Sequence, residues 1–262
     1  MLNLSNRLGL LRHRGLGYPG SFLPGFDPSH VASQSIRYSG IAIGAAIVSL
    51  LNGKASGFNG TVTANMTSIG PTVIGSGTNG CNKVSNTYSE TPSSSTFAGI
   101  FVIKVSETTH VLFANGTPTG EQYADIASLV LEMGTNSTST LSGLPALSMN
   151  VPYFFACSAN STTMNFVVRN LVTGKIYSTQ ITSAFTFGAN QATWVIGGDT
   201  SGAHYGVQTA TTMYSVAYMN LPQLLAWADD PWSFWYPSPQ PFDFAMASTP
   251  SGSIAYFFPW VN

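Results

Sequence analysis

The chain reads as an all-β, antiparallel β-sandwich, and three features carry that reading. Short runs rich in β-branched and aromatic residues recur, as at 96–105, 151–158 and 212–219. Glycine and Asn/Ser clusters separate them at strand-sized intervals. One stretch, 221–228, places Leu221, Leu224, Leu225 and Ala228 at the three- and four-residue spacing of a short C-terminal helix. With 262 residues and a mass of 27.7 kDa, the chain is long enough to bury a large core within one domain.

Residues 1–35 form an extended N-terminal arm, because Gly15, Gly17, Pro19, Gly20, Pro24, Gly25 and Pro28 leave no room for a regular element. Its apolar side chains, Phe22 and Phe26 among them, favour docking on a neighbouring surface over exposure to water. Arg7, Arg12 and Arg14 fall in a stretch of 26 residues without an acid, which suits an acidic surface, a place near packaged nucleic acid, or a plain solvated terminus.

The sandwich is expected over residues 36–236. Ile41 to Leu51 is the most apolar run; at eleven residues it falls short of the ~20 that a membrane-spanning helix needs, so it reads as a buried strand or short core segment. Residues 78–95 are polar and turn-rich and read as a long exposed loop. Residues 96–105 give the strongest central strand. Val111 to Phe113 runs into Asn115-Gly116, a hairpin-type turn signal, and Ile126 to Glu132 reads as one further strand.

Trp194 to Ile196 is a short strand stopped by Gly197 and Gly198. Thr212 to Met219 alternates Met213, Ser215, Ala217 and Met219 with Tyr214, Val216 and Tyr218, as a strand covered on both faces would. Asn220 caps the helix, Pro222 sits in its first turn, and Asp230-Pro231 ends it. Residues 237–262 are a proline-extended, apolar C-terminal tail bearing Phe257, Phe258 and Trp260, again a docking segment.

The order of an "IGG" turn, a loop, a strand, the helix LPQLLAWADDPW and an aromatic stop resembles the closing segment of laminin G-like jelly rolls of the concanavalin A-like lectin/glucanase superfamily, as found in tailed-phage and prophage structural proteins. GFDPSHVAS at 25–33 and YSGIAIGAAIVSLLNGK at 38–54 are similar to the leader that precedes this domain in phage proteins. The resemblance implies a jelly-roll sandwich and a place in a virion, with 151–158 and 164–169 as the central hairpin of that domain and another strand at 176–181. It departs at Tyr153, Phe154 and Phe155, where many relatives carry a tryptophan and paired histidines.

Composition bounds the function further. Charged residues make up 7% of the chain, against the ~25% usual in soluble domains, so solubility rests on hydroxyls and amides. Such a surface repels its neighbours weakly and suits permanent packing into an assembly. A net charge of -1 and a pI near 6.4 give no general electrostatic case for nucleic acid. The N-terminus lacks the pattern of a secretory signal. Cys81 and Cys157 are too few for a disulfide framework, and the sequence leaves their pairing open.

Catalytic signals are sparse. Glu90, Glu107, Glu121, Asp125 and Glu132 are scattered and read as solvated acids, so no glycosidase pair is expected. Cys157 lies in an apolar strand without a histidine nearby and reads as a core residue. His13, His30, His110 and His204 are isolated, which disfavours zinc. No cofactor is expected; calcium has a single candidate place, Asp199 with Thr200 and Ser201. Aromatic residues in polar loops, Tyr88, Tyr123, His204 and Tyr205, are the candidate glycan contacts. Asn-x-Ser/Thr triplets at Asn3, Asn59, Asn65, Asn115, Asn136 and Asn160 are what so polar a composition produces by chance.

The expectation is a non-enzymatic virion structural protein of a tailed phage, a capsid decoration or a head- or tail-associated component. It would be anchored by its arms to other virion proteins and to copies of itself, without a membrane. The alternative is a lectin-like module that binds host surface glycans.

Overall fold

Alternating side chains and a dense set of turns produce an antiparallel β architecture in the computed structural model, which describes residues 30–85, 87–104, 109–115, 122–135, 139–198 and 206–235. Among the described residues the strands are β1 (Ile36–Ile43), β2 (Ala46–Ser49), β3 (Gly57–Thr67), β4 (Gly70–Ser85), β5 (Ser94–Ile103), β6 (Thr109–Asn115) and β7 (Gln122–Ala127). They continue as β8 (Val130–Gly134), β9 (Ser139–Leu141), β10 (Pro152–Asn160), β11 (Thr163–Asn170), β12 (Ile176–Thr182), β13 (Thr193–Ile196) and β14 (Val207–Ser215), followed by helix α1 (Leu221–Asp229). The strands follow the order β12-β11-β10-β5-β14-β4-β13-β6-β7-β8-β9, with β1 joined to β14 and β2, and β3 joined to β4.

The two halves of this path fold over one another. Phe97 and Phe101 of β5, Phe155 of β10, Phe166 of β11 and Tyr214 of β14 share one buried cluster with Phe113 of β6, Ile126 of β7, Met133 of β8 and Trp194 of β13. This is the interior of the sandwich, and it confirms an all-β jelly-roll reading. Its centre is aromatic: Phe113 stacks on Tyr214 at 5.7 Å, and Trp194 meets Tyr214 edge-on at 5.3 Å.

Period-two alternation places Ala98, Ile100, Phe154, Ala156 and Val167 on the opposite face, where α1 and the turn after it cover them with Leu224, Trp227, Ala228, Phe234 and Trp235. Burial on both faces explains why β5 and β10 read as nearly continuous apolar runs. Helix α1 starts as expected: the Asn220 side chain accepts from the Gln223 N–H at 3.0 Å, and the Gln223 side chain accepts from the Asn220 N–H at 2.9 Å. At its other end the Arg169 guanidinium donates to the Ala228 carbonyl at 2.6 Å, satisfying an oxygen that the helix leaves free.

Four local expectations are corrected. The apolar run 41–51 is a hairpin of β1 and β2, turned at Gly44, whose φ of +58° is left-handed. The polar stretch 78–95 is not all loop, since β4 runs to Ser85; polar residues fit there because Lys83 and Ser85 reach solvent and the buried Asn82 side chain accepts from the Ser56 hydroxyl at 2.8 Å. The strand expected at 212–219 starts earlier and stops at Ser215. Its ladder ends there because Val216 donates to the Ser35 carbonyl and Ala217 to the Ser215 hydroxyl. The single strand expected at 126–132 is two strands, because Ser128 and Leu129 both adopt positive φ, 50° and 65°.

Candidate functional site

The Ser128-Leu129 turn builds the site. Two consecutive left-handed residues make the tight turn whose twist matches paired strands, and it is ordinarily signalled by Asn-Gly. Folding β8 back along β7 sets Tyr123 opposite Gly134, Asp125 opposite Glu132 and Ala127 opposite Val130. Ala124, Ile126, Leu131 and Met133 point into the sandwich core, so the pleat sends Tyr123, Asp125 and Glu132 to the other face.

On that face Thr109, Val111 and Ala114 of β6 join Tyr123, Asp125, Ala127 and Glu132 around a half-open cleft of about 230 Å³. A small apolar patch of Cys81, Val111, Ala114 and Val195 lies against Tyr123 at its side. The two acids are therefore not solvated: Asp125 is 6% exposed and Glu132 8%. Asp125 Oδ1 has no hydrogen-bond partner, while the Tyr123 hydroxyl lies 3.5 Å from Glu132 Oε1. This corrects the reading of the acids as scattered, because residues seven apart in sequence become direct neighbours across a hairpin.

Burial, and then the neighbouring Glu132 charge, hold the Asp125 carboxyl well above the usual carboxylate range. Burial and the same two acids push the Tyr123 phenol up. Asp125 thus keeps its proton in the folded protein at pH values where the unfolded chain, near pKa ~3.9, has lost it. The folded state binds more protons in that window, so stability falls as pH rises through it. Asp125→Asn, which mimics the protonated carboxyl, is expected to lose less melting temperature than the parent between pH 5 and pH 8. Calorimetry at both values tests this, and equal losses would contradict it.

The other sequence candidates separate. Tyr88 stands apart from Tyr123: the Arg37 guanidinium lies over its ring at 4.7 Å, and Arg37 also pairs with Glu90. The contact ties the start of β1 to the loop before β5, and Tyr88 stays 38% exposed. His204, Tyr205 and Asp199 lie outside the described residues, as do the arm residues Arg7, Arg12, Arg14, Phe22, Phe26, Phe257, Phe258 and Trp260. His30 accepts from the Ala32 N–H through Nδ1 at 3.1 Å and meets the Trp227 ring edge-on at 4.4 Å.

Cys157 is buried in the core and its thiol is pushed up by burial, which makes it inert. Cys81 and Cys157 are both buried, and no disulfide joins them. Among the described residues no group of three or more His, Cys, Asp or Glu side chains is placed to hold a metal, and no helix is long and apolar enough to cross a membrane.

No protein-family model and no curated protein sequence matches the chain. Solved structures share its fold. The chain is similar to Trypanosoma rangeli sialidase in complex with the inhibitor DANA, at 11% identity and a TM-score of 0.51, over 86% of this chain and 38% of the sialidase. It is also similar to the receptor-binding domain of botulinum neurotoxin mosaic serotype C/D, at 13% identity and a TM-score of 0.53, over 74% of this chain and 50% of that one. The chain thus accounts for half or less of the length of either structure. At such identities the likeness extends to the β-sandwich fold alone.

Proposed function

We propose that this protein is a lectin-like binding module that holds carbohydrate in the cleft over β6, β7 and β8, without catalysing its cleavage. The observation that carries the reading is the cleft's make-up. It combines an aromatic ring, a buried carboxyl with an unused hydrogen-bonding oxygen, and apolar walls, on strands other than the β10, β11 and β12 that α1 packs against. Sugar recognition calls for that mixture of polar groups and C–H surface. The fold's occurrence in a sialidase captured with sialic acid and in a toxin receptor-binding domain gives the reading its context.

Screening the full chain against a glycan array, followed by titration of the best ligand, tests it. Saturable binding is expected. Tyr123→Ala should weaken it by ~1–2 kcal/mol, roughly tenfold, through loss of the ring face. Release of free sugar from the ligand would overturn the non-enzymatic reading and recast Asp125 and Glu132 as an acid and base pair.

A second reading concerns where the module acts: in the virion of a tailed phage, as a laminin G-like structural protein docked by its terminal arms. The observation favouring it is the charged fraction of 7%, which allows many copies to sit side by side with little repulsion. Cryo-electron microscopy of purified particles tests it, with density for the chain ends against neighbouring subunits as the expected result.

A further inference from the structure

We propose that the cleft selects glycans bearing a free, protonated amino group, with the ammonium seated between Asp125 and Glu132 beside the Tyr123 hydroxyl. The inference rests on the cleft being a glycan site and adds the chemical class of its ligand.

The first argument is the cross-strand pairing itself. Asp125 and Glu132 are directly opposed in register, and like charges so placed destabilise a sheet. A second is the state of Asp125, whose Oδ1 is buried without a hydrogen-bond partner and lines the cleft. Buried polar atoms of this kind cost free energy until something pairs with them. A third is the counter-charge: among the described residues, the seven that line the cleft include no lysine, arginine or histidine. A proton on Asp125 offsets the repulsion within the pair, and an ammonium can replace it, the displaced proton passing to solvent.

Size and lining decide between kinds of cation. A volume of about 230 Å³ is far more than one bare ion or one water fills. Calcium seeks six or more oxygens, whereas among the described residues the lining side chains that offer oxygen are Thr109, Tyr123, Asp125 and Glu132. An ammonium has three donors, matched by Asp125, Glu132 and the Tyr123 hydroxyl, and the Tyr123 ring adds attraction for the cation. Val111, Ala114 and Ala127 supply an apolar wall for the C–H face of a sugar ring. N-acetylation removes the charge and adds bulk at that point, so an acetylated sugar leaves the Glu132 carboxylate desolvated and uncompensated.

Isothermal titration of the full chain at pH 7 with a linear tetramer of glucosamine, with its fully N-acetylated counterpart and with calcium chloride tests the proposal. The glucosamine tetramer is expected to bind at least ~10-fold tighter than the acetylated one, with Glu132→Gln erasing that preference. Asp125→Asn should weaken the glucosamine tetramer alone, and circular dichroism confirms that both variants fold. Equal binding of the two tetramers, sensitive to Tyr123→Ala, would overturn ammonium selection while leaving the glycan reading intact. Failure of both tetramers alongside array binding of a neutral sugar at Tyr123 would do the same. Calcium heat that Glu132→Gln abolishes, with no sugar bound by any variant, would overturn the inference and the glycan reading together.

Discussion

Replacing Trp227 by alanine is expected to lower the unfolding free energy by about 3–5 kcal/mol, a large share of the ~5–15 kcal/mol that keeps a typical domain folded. The indole is 2% exposed and packs against Phe154 at 5.5 Å, Phe234 at 5.3 Å and Trp235 at 5.6 Å. It is the main wedge between α1 and the outer face of β10 and β11. The sheet residues beneath include Ala98 and Ala156, too small to collapse into the space left behind, so the cavity persists. Urea denaturation followed by far-ultraviolet circular dichroism measures the effect without depending on tryptophan fluorescence. A lower midpoint with an unchanged slope is expected. A loss below ~1 kcal/mol would mean that α1 contributes little to the fold.

Asn115→Leu should come second, at about 2–4 kcal/mol, although the two side chains are similar in size. Asn115 Oδ1 accepts from the Trp194 indole N–H at 2.7 Å and from the Gln191 backbone N–H at 2.7 Å, while its amide donates to Asn190 Oδ1 at 2.6 Å. Asn190 Oδ1 in turn accepts from the Tyr214 hydroxyl at 3.0 Å. Leucine leaves two donors buried and unmatched, each costing its desolvation. Thermal melting gives the loss in stability, and hydrogen exchange locates it: the Gln191 amide should lose protection while those of β10 keep theirs. Exchange that stays slow at Gln191 would show that the segment is held by other contacts. The same burial, 0% exposed, rules out Asn115 as a glycan acceptor despite its Asn-Gly-Thr triplet.

Much of the sandwich was legible because its signals are local. The β5 and β10 runs, the glycine stop after Ile196 and the Asn220 cap each depend on residues adjacent in sequence. The helix face was read from Leu224 and Ala228; Trp227 completes it. What escaped was set by backbone conformations that composition does not advertise. Ser128 and Leu129 are poor indicators of a left-handed turn, so 126–132 looked like one strand and its two acids looked unrelated. Tyr123 was named for its aromatic ring in a polar stretch. Its partners Asp125 and Glu132 become visible only once the hairpin register is known, because a one-residue slip would turn them into the core. The neighbour of Tyr88 was hidden in the same way: the Arg37 guanidinium, 51 positions earlier, lies over its ring at 4.7 Å.

Strand β14 bonds to β1, to β5 and to β4, and so ties elements made early in synthesis to one made near residue 215. A nascent chain that has not yet released β14 therefore leaves the edge of β5 open and β1 with β2 as its sheet partner. The sandwich closes late, over long sequence separations, which is the regime of slow folding. The interval before closure is when such a chain is most exposed to pairing with its neighbours. The absence of charge that suits a crowded assembly gives it little repulsion to prevent that, so expression at low temperature and low synthesis rate should favour soluble material.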